Sequence, residues 1–127
     1  MATTTFPTPV DGATSWKKAT WTVWYPTTTS TDYQDFSMPE LEGATEIVAF
    51  IGASGTTHCT AIHLMTFGTA RDIYVKELNT KTLASTNDVY NFSVSLRYDK
   101  TTHKLGYRQS YKGSSASYQG ILEVWYR

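Results

Sequence analysis

Val89-Tyr90-Asn91-Phe92-Ser93-Val94-Ser95-Leu96-Arg97-Tyr98 is the stretch that decides the fold class. Tyr90, Phe92, Val94, Leu96 and Tyr98 fall on every second residue, and Asn91, Ser93, Ser95 and Arg97 fill the positions between. This is the period of a strand with one face buried. Two further strand patterns follow across short polar turns, Lys104–Tyr111 and Gln119–Tyr126, and the chain closes on Gly120-Ile121-Leu122-Glu123-Val124-Trp125-Tyr126-Arg127. The class is all-β.

Upstream, the alternation over Trp16–Tyr25 predicts a strand at Ala19–Tyr25, although both of its faces carry an indole, Trp21 on one and Trp24 on the other. Pro26-Thr27-Thr28-Thr29-Ser30-Thr31 is a polar loop, and Tyr33–Ser37 followed by Met38-Pro39-Glu40 reads as a short strand or bend ended by proline. The continuous apolar run Ile47-Val48-Ala49-Phe50-Ile51 within Glu46–Gly52 predicts a strand covered on both faces. After the Gly52-Ala53-Ser54-Gly55 turn, a strand is expected at His58–Phe67. Asp72–Leu78 should pair with it as a hairpin, Ile73 and Val75 inward, before a turn at Leu78–Thr82. About seven or eight strands result, as in an antiparallel β-sandwich or jelly roll.

At 127 residues the chain suits one core. Residues 1–15, rich in Thr and Pro, read as an extended N-terminal arm that contacts a partner, and residues 16–127 as a single sandwich domain. With 22 Thr, 11 Ser, 9 Tyr and 4 Trp the composition favours pleated sheets over long helices. Eleven basic residues balance eleven acidic ones, so no net field draws a polyanion, and nucleic acid is not expected as a partner. The lone Cys59 cannot form an intrachain disulfide and is read as a small buried side chain. The start Met1-Ala2-Thr3-Thr4-Thr5-Phe6-Pro7 has neither the basic start nor the apolar run of a signal peptide. No stretch approaches a membrane span, so a soluble product, released by lysis, is expected.

The chemistry-bearing residues point away from catalysis. His58 and His63, five apart on a strand, face opposite ways and cannot chelate one metal, and no cofactor is expected. Ser54 lacks the Gly-x-Ser-x-Gly frame and sits between strands rather than before a helix. The carboxylate pairs Glu40/Glu42 and Asp32/Asp35 have the types a glycosidase needs, but nothing in their spacing brings either pair into a cleft, and loop solvation accounts for them. Asn91-Phe92-Ser93 matches an N-glycosylation pattern lying inside a strand.

Aromatic side chains are more numerous than a core of this size needs: Trp16, Trp21, Trp24, Tyr25, Tyr33, Tyr107, Tyr111, Tyr118, Trp125 and Tyr126. Exposed rings beside polar side chains are how proteins hold sugars, the ring against the C–H face and the polar groups on the hydroxyls. Tyr107, Arg108, Gln109, Tyr111 and Tyr118, flanking a Gly/Ser loop, are the expected exposed glycan-binding cluster. Apolar residues on both strand faces also imply self-association, expected as a homotrimer.

The Thr-rich arm, the hairpin from Phe92 through Asp99-Lys100-Thr101-Thr102-His103 to Leu105, and the closing Gly120–Arg127 segment resemble small virion proteins of tailed bacteriophages. The likeness is to the carbohydrate-binding baseplate and tail-fibre tips of phages of Gram-positive hosts, and covers about the last third of the chain. It implies a trimeric or ring-forming β-sandwich in the virion that binds a host cell-surface saccharide without catalysis and meets other virion proteins through its arm. The chain is more loosely similar to H-type lectins, whose sandwiches trimerise around N-acetylgalactosamine sites; it lacks a cysteine pair, and none of their residues is carried over. Two alternatives stand beside the receptor-binding reading, a structural virion accessory or decoration protein and a free-standing lectin or carbohydrate-binding module.

Overall fold

The structure, a computed structural model, describes residues 15–55, 59–66, 71–80, 91–114 and 116–127. Residues 1–14 of the expected arm, His58, the first residues of the Val89–Tyr98 stretch, and Lys81 and Thr82 of the expected turn lie outside the described residues. The described residues form eight strands: β1 Lys17–Lys18, β2 Gln34–Ser37, β3 Glu46–Gly52, β4 Thr60–Met65, β5 Ile73–Asn79, β6 Phe92–Asp99, β7 Lys104–Lys112 and β8 Gly120–Tyr126. They form two four-stranded antiparallel sheets, a first with the order β1-β8-β3-β4 and a second with the order β2-β7-β6-β5. The all-β sandwich is therefore the observed fold.

The period-2 pattern of β6 sets the core. Phe92, Val94, Leu96 and Tyr98 point inward and meet Ile47, Ala49 and Ile51 of β3, Ile62 and Leu64 of β4, and Ile121 and Val124 of β8 in one buried cluster. Each such large side chain contributes roughly 1.5–3 kcal/mol by leaving water. The Tyr98 hydroxyl donates to the Leu41 carbonyl at 3.0 Å, so the 3-10 turn Pro39–Leu41 closes one end of the core.

Four local expectations are corrected. Residues 19–33 do not form a strand but a strap running along β8, with a single bridge between Trp24 and Ile121. Alternation would have put Trp21 and Trp24 on opposite faces; instead both indoles pack edge-on against Phe36, at 4.9 and 5.0 Å between ring centroids. The strap is pinned by Ala19 N–H to the Val124 carbonyl, by the Trp21 indole N–H to the Ile121 carbonyl, and by Thr20 N–H to the Glu40 carboxylate.

β5 pairs with β6 rather than β4, and its inward residues are Tyr74 and Leu78, in register with buried Tyr98 and Val94. Ile73 and Val75 point out and are about half exposed, at 48% and 49%. The sequence is apolar on both faces of this strand, and the larger aromatic took the core. Cys59 is exposed; on β4 the buried positions are Ile62 and Leu64, so the odd-numbered side chains Ala61, His63 and Met65 face outward with it. β3 is covered on one face only: Ile47, Ala49 and Ile51 are buried, whereas Val48 and Phe50 are half-buried on the outer face.

Candidate functional site

The candidate site forms where the strap meets the edge of the second sheet. After Pro26 the loop turns onto β7: Ser30 N–H donates to the Gln109 carbonyl at 2.9 Å, and Arg108 Nη1 donates to the Thr31 carbonyl at 2.6 Å. The chain then enters β2, where Gln34 pairs with Tyr107. Between loop and strand lies a cleft of about 240 Å³. Trp24, Thr28, Ser30, Asp32, Tyr33 and Gln34 stand on its strap side, and Tyr107, Arg108 and Gln109 on its β7 side.

Gly120 makes the Trp24 wall possible. A Cβ at this position would clash with the Trp24 carbonyl oxygen and fall 2.5 Å from Tyr25 Cδ1, so only glycine lets the strap press this closely on β8. Trp24 then leans edge-on to Tyr107, with ring centroids 5.9 Å apart.

The five residues expected as one exposed cluster divide into two groups. Tyr107 and Gln109 are corrected: both point inward, 0% and 1% exposed. The Tyr107 hydroxyl donates to the Gln119 carbonyl at 2.5 Å, and Gln119 N–H donates to Gln109 Oε1 at 2.8 Å. Two side chains of the second sheet thus grip both polar groups of one residue beside β8 of the first. Burial drives the Tyr107 phenol far above its ordinary range, so it stays a proton donor. They reach the cleft only as its floor.

Arg108 is half-buried on the outer face. A bulge between Ser93 and Val94 sets Val94 opposite Gln109 but Ser93 opposite Tyr111, which turns Tyr111 outward as well. Tyr111 and Tyr118 do not line the cleft. The Tyr118 ring lies 5.2 Å from Lys112 Nζ, which in turn donates to the carbonyls of Gly113 and Ala116 and ties down that loop.

The cleft's own chemistry comes from Trp24, Asp32, Tyr33 and Gln34; the sequence offered the first three only as surplus aromatics and a loop carboxylate, and Gln34 not at all. Tyr33 is clamped between two guanidiniums, Arg97 at 4.1 Å and Arg108 at 4.6 Å from its ring centroid, and its hydroxyl shares a 2.6 Å hydrogen bond with Ser95. Arg97 Nη2 donates to both carboxylate oxygens of Asp35, at 2.9 and 3.2 Å, and Arg108 Nη2 reaches Glu77 at 3.4 Å. The Asp32 carboxylate and the Gln34 amide are exposed and have no hydrogen-bond partner among the described residues. Asn91 of the glycosylation pattern is buried beside β6, with its carbonyl accepting from Gly113 N–H.

A second concavity, about 390 Å³, lies on the outer face of the first sheet and is lined by Trp16, Val48, Phe50, Glu123 and Trp125. The Trp125 indole donates to Glu123 at 2.9 Å and, with Lys18 at 3.5 Å, holds that carboxyl below its usual range. At its end Arg127 lies over Trp16 at 4.5 Å and pairs with Glu46, which His63 also meets at 2.9 Å. The Arg127 hydrogen bond, more than the His63 contact, keeps the Glu46 carboxyl below the ordinary range. Among the described residues, no three His, Cys, Asp or Glu side chains gather as a metal site. No protein-family model, curated protein or solved structure matches the chain.

Proposed function

We propose that the protein is a non-catalytic saccharide-binding sandwich, a virion adhesion protein of the tail-tip or baseplate kind, and that the cleft between the 26–34 segment and β7 holds the sugar. The observation that carries this reading is the pairing of unengaged polar groups with a ring: the Asp32 carboxylate and Gln34 amide stand beside Trp24, while Tyr33 is held under its two guanidiniums. A sugar needs that combination, an aromatic surface for its C–H face and polar groups for its hydroxyls. At about 240 Å³ the cleft falls below the roughly 300–1,000 Å³ of sites that swallow a drug-sized ligand. One ring of a longer glycan, held with much of its surface in water, suits it.

The test is a glycan array and a host cell-wall binding assay with the wild type, Asp32→Ala and Tyr111→Ala. Saturable binding that Asp32→Ala abolishes and Tyr111→Ala leaves intact is the expected result. No binding to any glycan or wall would refute the reading.

The outer groove of the first sheet favours a second role, assembly. Two indoles with Val48 and Phe50 form a continuous apolar surface of the kind subunit contacts use. Self-association through it, as a homotrimer, accords with the expectation from sequence, and a decoration protein bound to other virion subunits is the alternative use of the same surface.

A further inference from the structure

The charges around the cleft carry an inference about its ligand, and it rests on the saccharide reading above. We infer that the cleft selects neutral sugars over their anionic counterparts. Asp32 and Arg108 line the site, and three more ionisable side chains, Arg97, Asp35 and Glu77, are tied to it through Tyr33 or Arg108, so that two positive charges stand against three negative. Both guanidiniums are already engaged. Arg97 is paired with Asp35, its Nη2 reaching both carboxylate oxygens, and stacks on Tyr33. Arg108 gives Nη1 to the Thr31 carbonyl and Nη2 to Glu77, stacks on Tyr33, and has its Nε sealed from solvent without a partner.

The charge left uncompensated is the Asp32 carboxylate, which lines the cleft. A carboxylate accepts hydrogen bonds only, and two neighbouring sugar hydroxyls can donate to its two oxygens. Gln34 beside it can both donate and accept, so the orientation of a third hydroxyl is free to vary. A uronic acid or a sugar phosphate would instead place a second negative charge a few ångströms from Asp32, with no unengaged cation to offset it. In a solvent-exposed site at such a distance, that repulsion corresponds to about tenfold in affinity, and added salt should weaken it.

The experiment is a calorimetric or NMR titration of the purified protein with matched pairs, galactose with galacturonic acid, glucose with glucuronic acid, and any array ligand with its phosphorylated form. Each is run at low and at high ionic strength, with wild type and Asp32→Asn. The expected result is a neutral member bound about tenfold more tightly, a ratio that shrinks in high salt, and a ratio near one in Asp32→Asn, whose affinity for the neutral sugar also falls. Equal or tighter binding of the anionic member, or a ratio that Asp32→Asn leaves unchanged, would overturn the inference while leaving the saccharide reading intact. Failure of every member of every pair to bind would overturn both. The unfolding midpoint of Asp32→Asn, an exposed side chain, checks that the variant is folded.

Discussion

Tyr107→Phe removes one oxygen atom, and its cost follows from what that oxygen holds. The hydroxyl is fully buried and donates to the Gln119 carbonyl at 2.5 Å, while Gln109 accepts from the N–H of the same residue at 2.8 Å. Phenylalanine fills the same space, so neither a cavity nor a lost apolar contact enters. What remains is an acceptor stripped of its donor, worth about 1–3 kcal/mol. For a domain of this size, each kcal/mol lowers Tm by about 4 °C, so a fall of about 4–12 °C is expected. Urea unfolding should show the midpoint moving down with an unchanged slope, since the surface exposed on unfolding is the same. Tyr118→Phe, which keeps the ring over Lys112, should stay within about 0.5 kcal/mol of wild type. Gln109→Leu should also destabilise, and the double variant should lose less than the sum, because both side chains serve one residue. A Tyr107→Phe protein as stable as Tyr118→Phe would refute the claim that this residue stitches the two sheets.

Gly120→Ala should cost about 1–3 kcal/mol by overpacking, and should weaken any saccharide binding, because Trp24 must retreat from β8; differential scanning calorimetry and the glycan assay read the two effects. Phe50→Glu should abolish concentration-dependent self-association in light scattering while changing Tm little, since Phe50 lies on the half-buried outer face. Glu46 has a folded pKa below its unfolded value, so its pairing with Arg127 contributes stability that is fully present above the ordinary carboxylate range. That contribution is lost as pH falls through the depressed folded value. Glu46→Gln should therefore be less stable than wild type at neutral pH, and the two melting curves should converge in acid.

Legibility in the sequence followed the strength of one-sided burial. β6 alternates cleanly, β7 and β8 do so on either side of one bulge each, and β3 has the bounds its apolar run suggests, because a one-residue slip would move the core set into water. Where both faces of a segment carry apolar side chains, pattern alone could not choose. On β5 the choice between Ile73/Val75 and Tyr74/Leu78 was made by register with Tyr98 and Val94, which is tertiary information. In the strap, the joint packing of Trp21 and Trp24 on Phe36 overrode alternation. The stretch Tyr107-Arg108-Gln109 does border the cleft, but a strand turns alternate residues inward, and that rule already separates Arg108 from its two neighbours. Asp32 and Gln34 were not identifiable, because their partnership with β7 depends on two loop hydrogen bonds, Ser30 to Gln109 and Arg108 to Thr31.

The two concavities share no lining residue: the cleft belongs to the strap, β2 and β7, and the apolar groove to Trp16, β3 and β8. Self-association through the groove would therefore leave the cleft open, and the two proposed roles are compatible in one molecule. They also need each other. A site of about 240 Å³ that touches one sugar ring makes few contacts, and after the entropy of association is subtracted such a site binds weakly on its own. A ring of copies meeting a repeating wall polymer converts each further contact into an intramolecular event, and gains of about 10²–10⁴ in avidity follow without any new interaction. If that is the design, Phe50→Glu should leave the affinity for a free monosaccharide unchanged while removing most of the retention on intact cell walls. Loss of both together would mean that the groove and the cleft are one coupled site, and equal retention on walls would mean that assembly plays no part in adhesion.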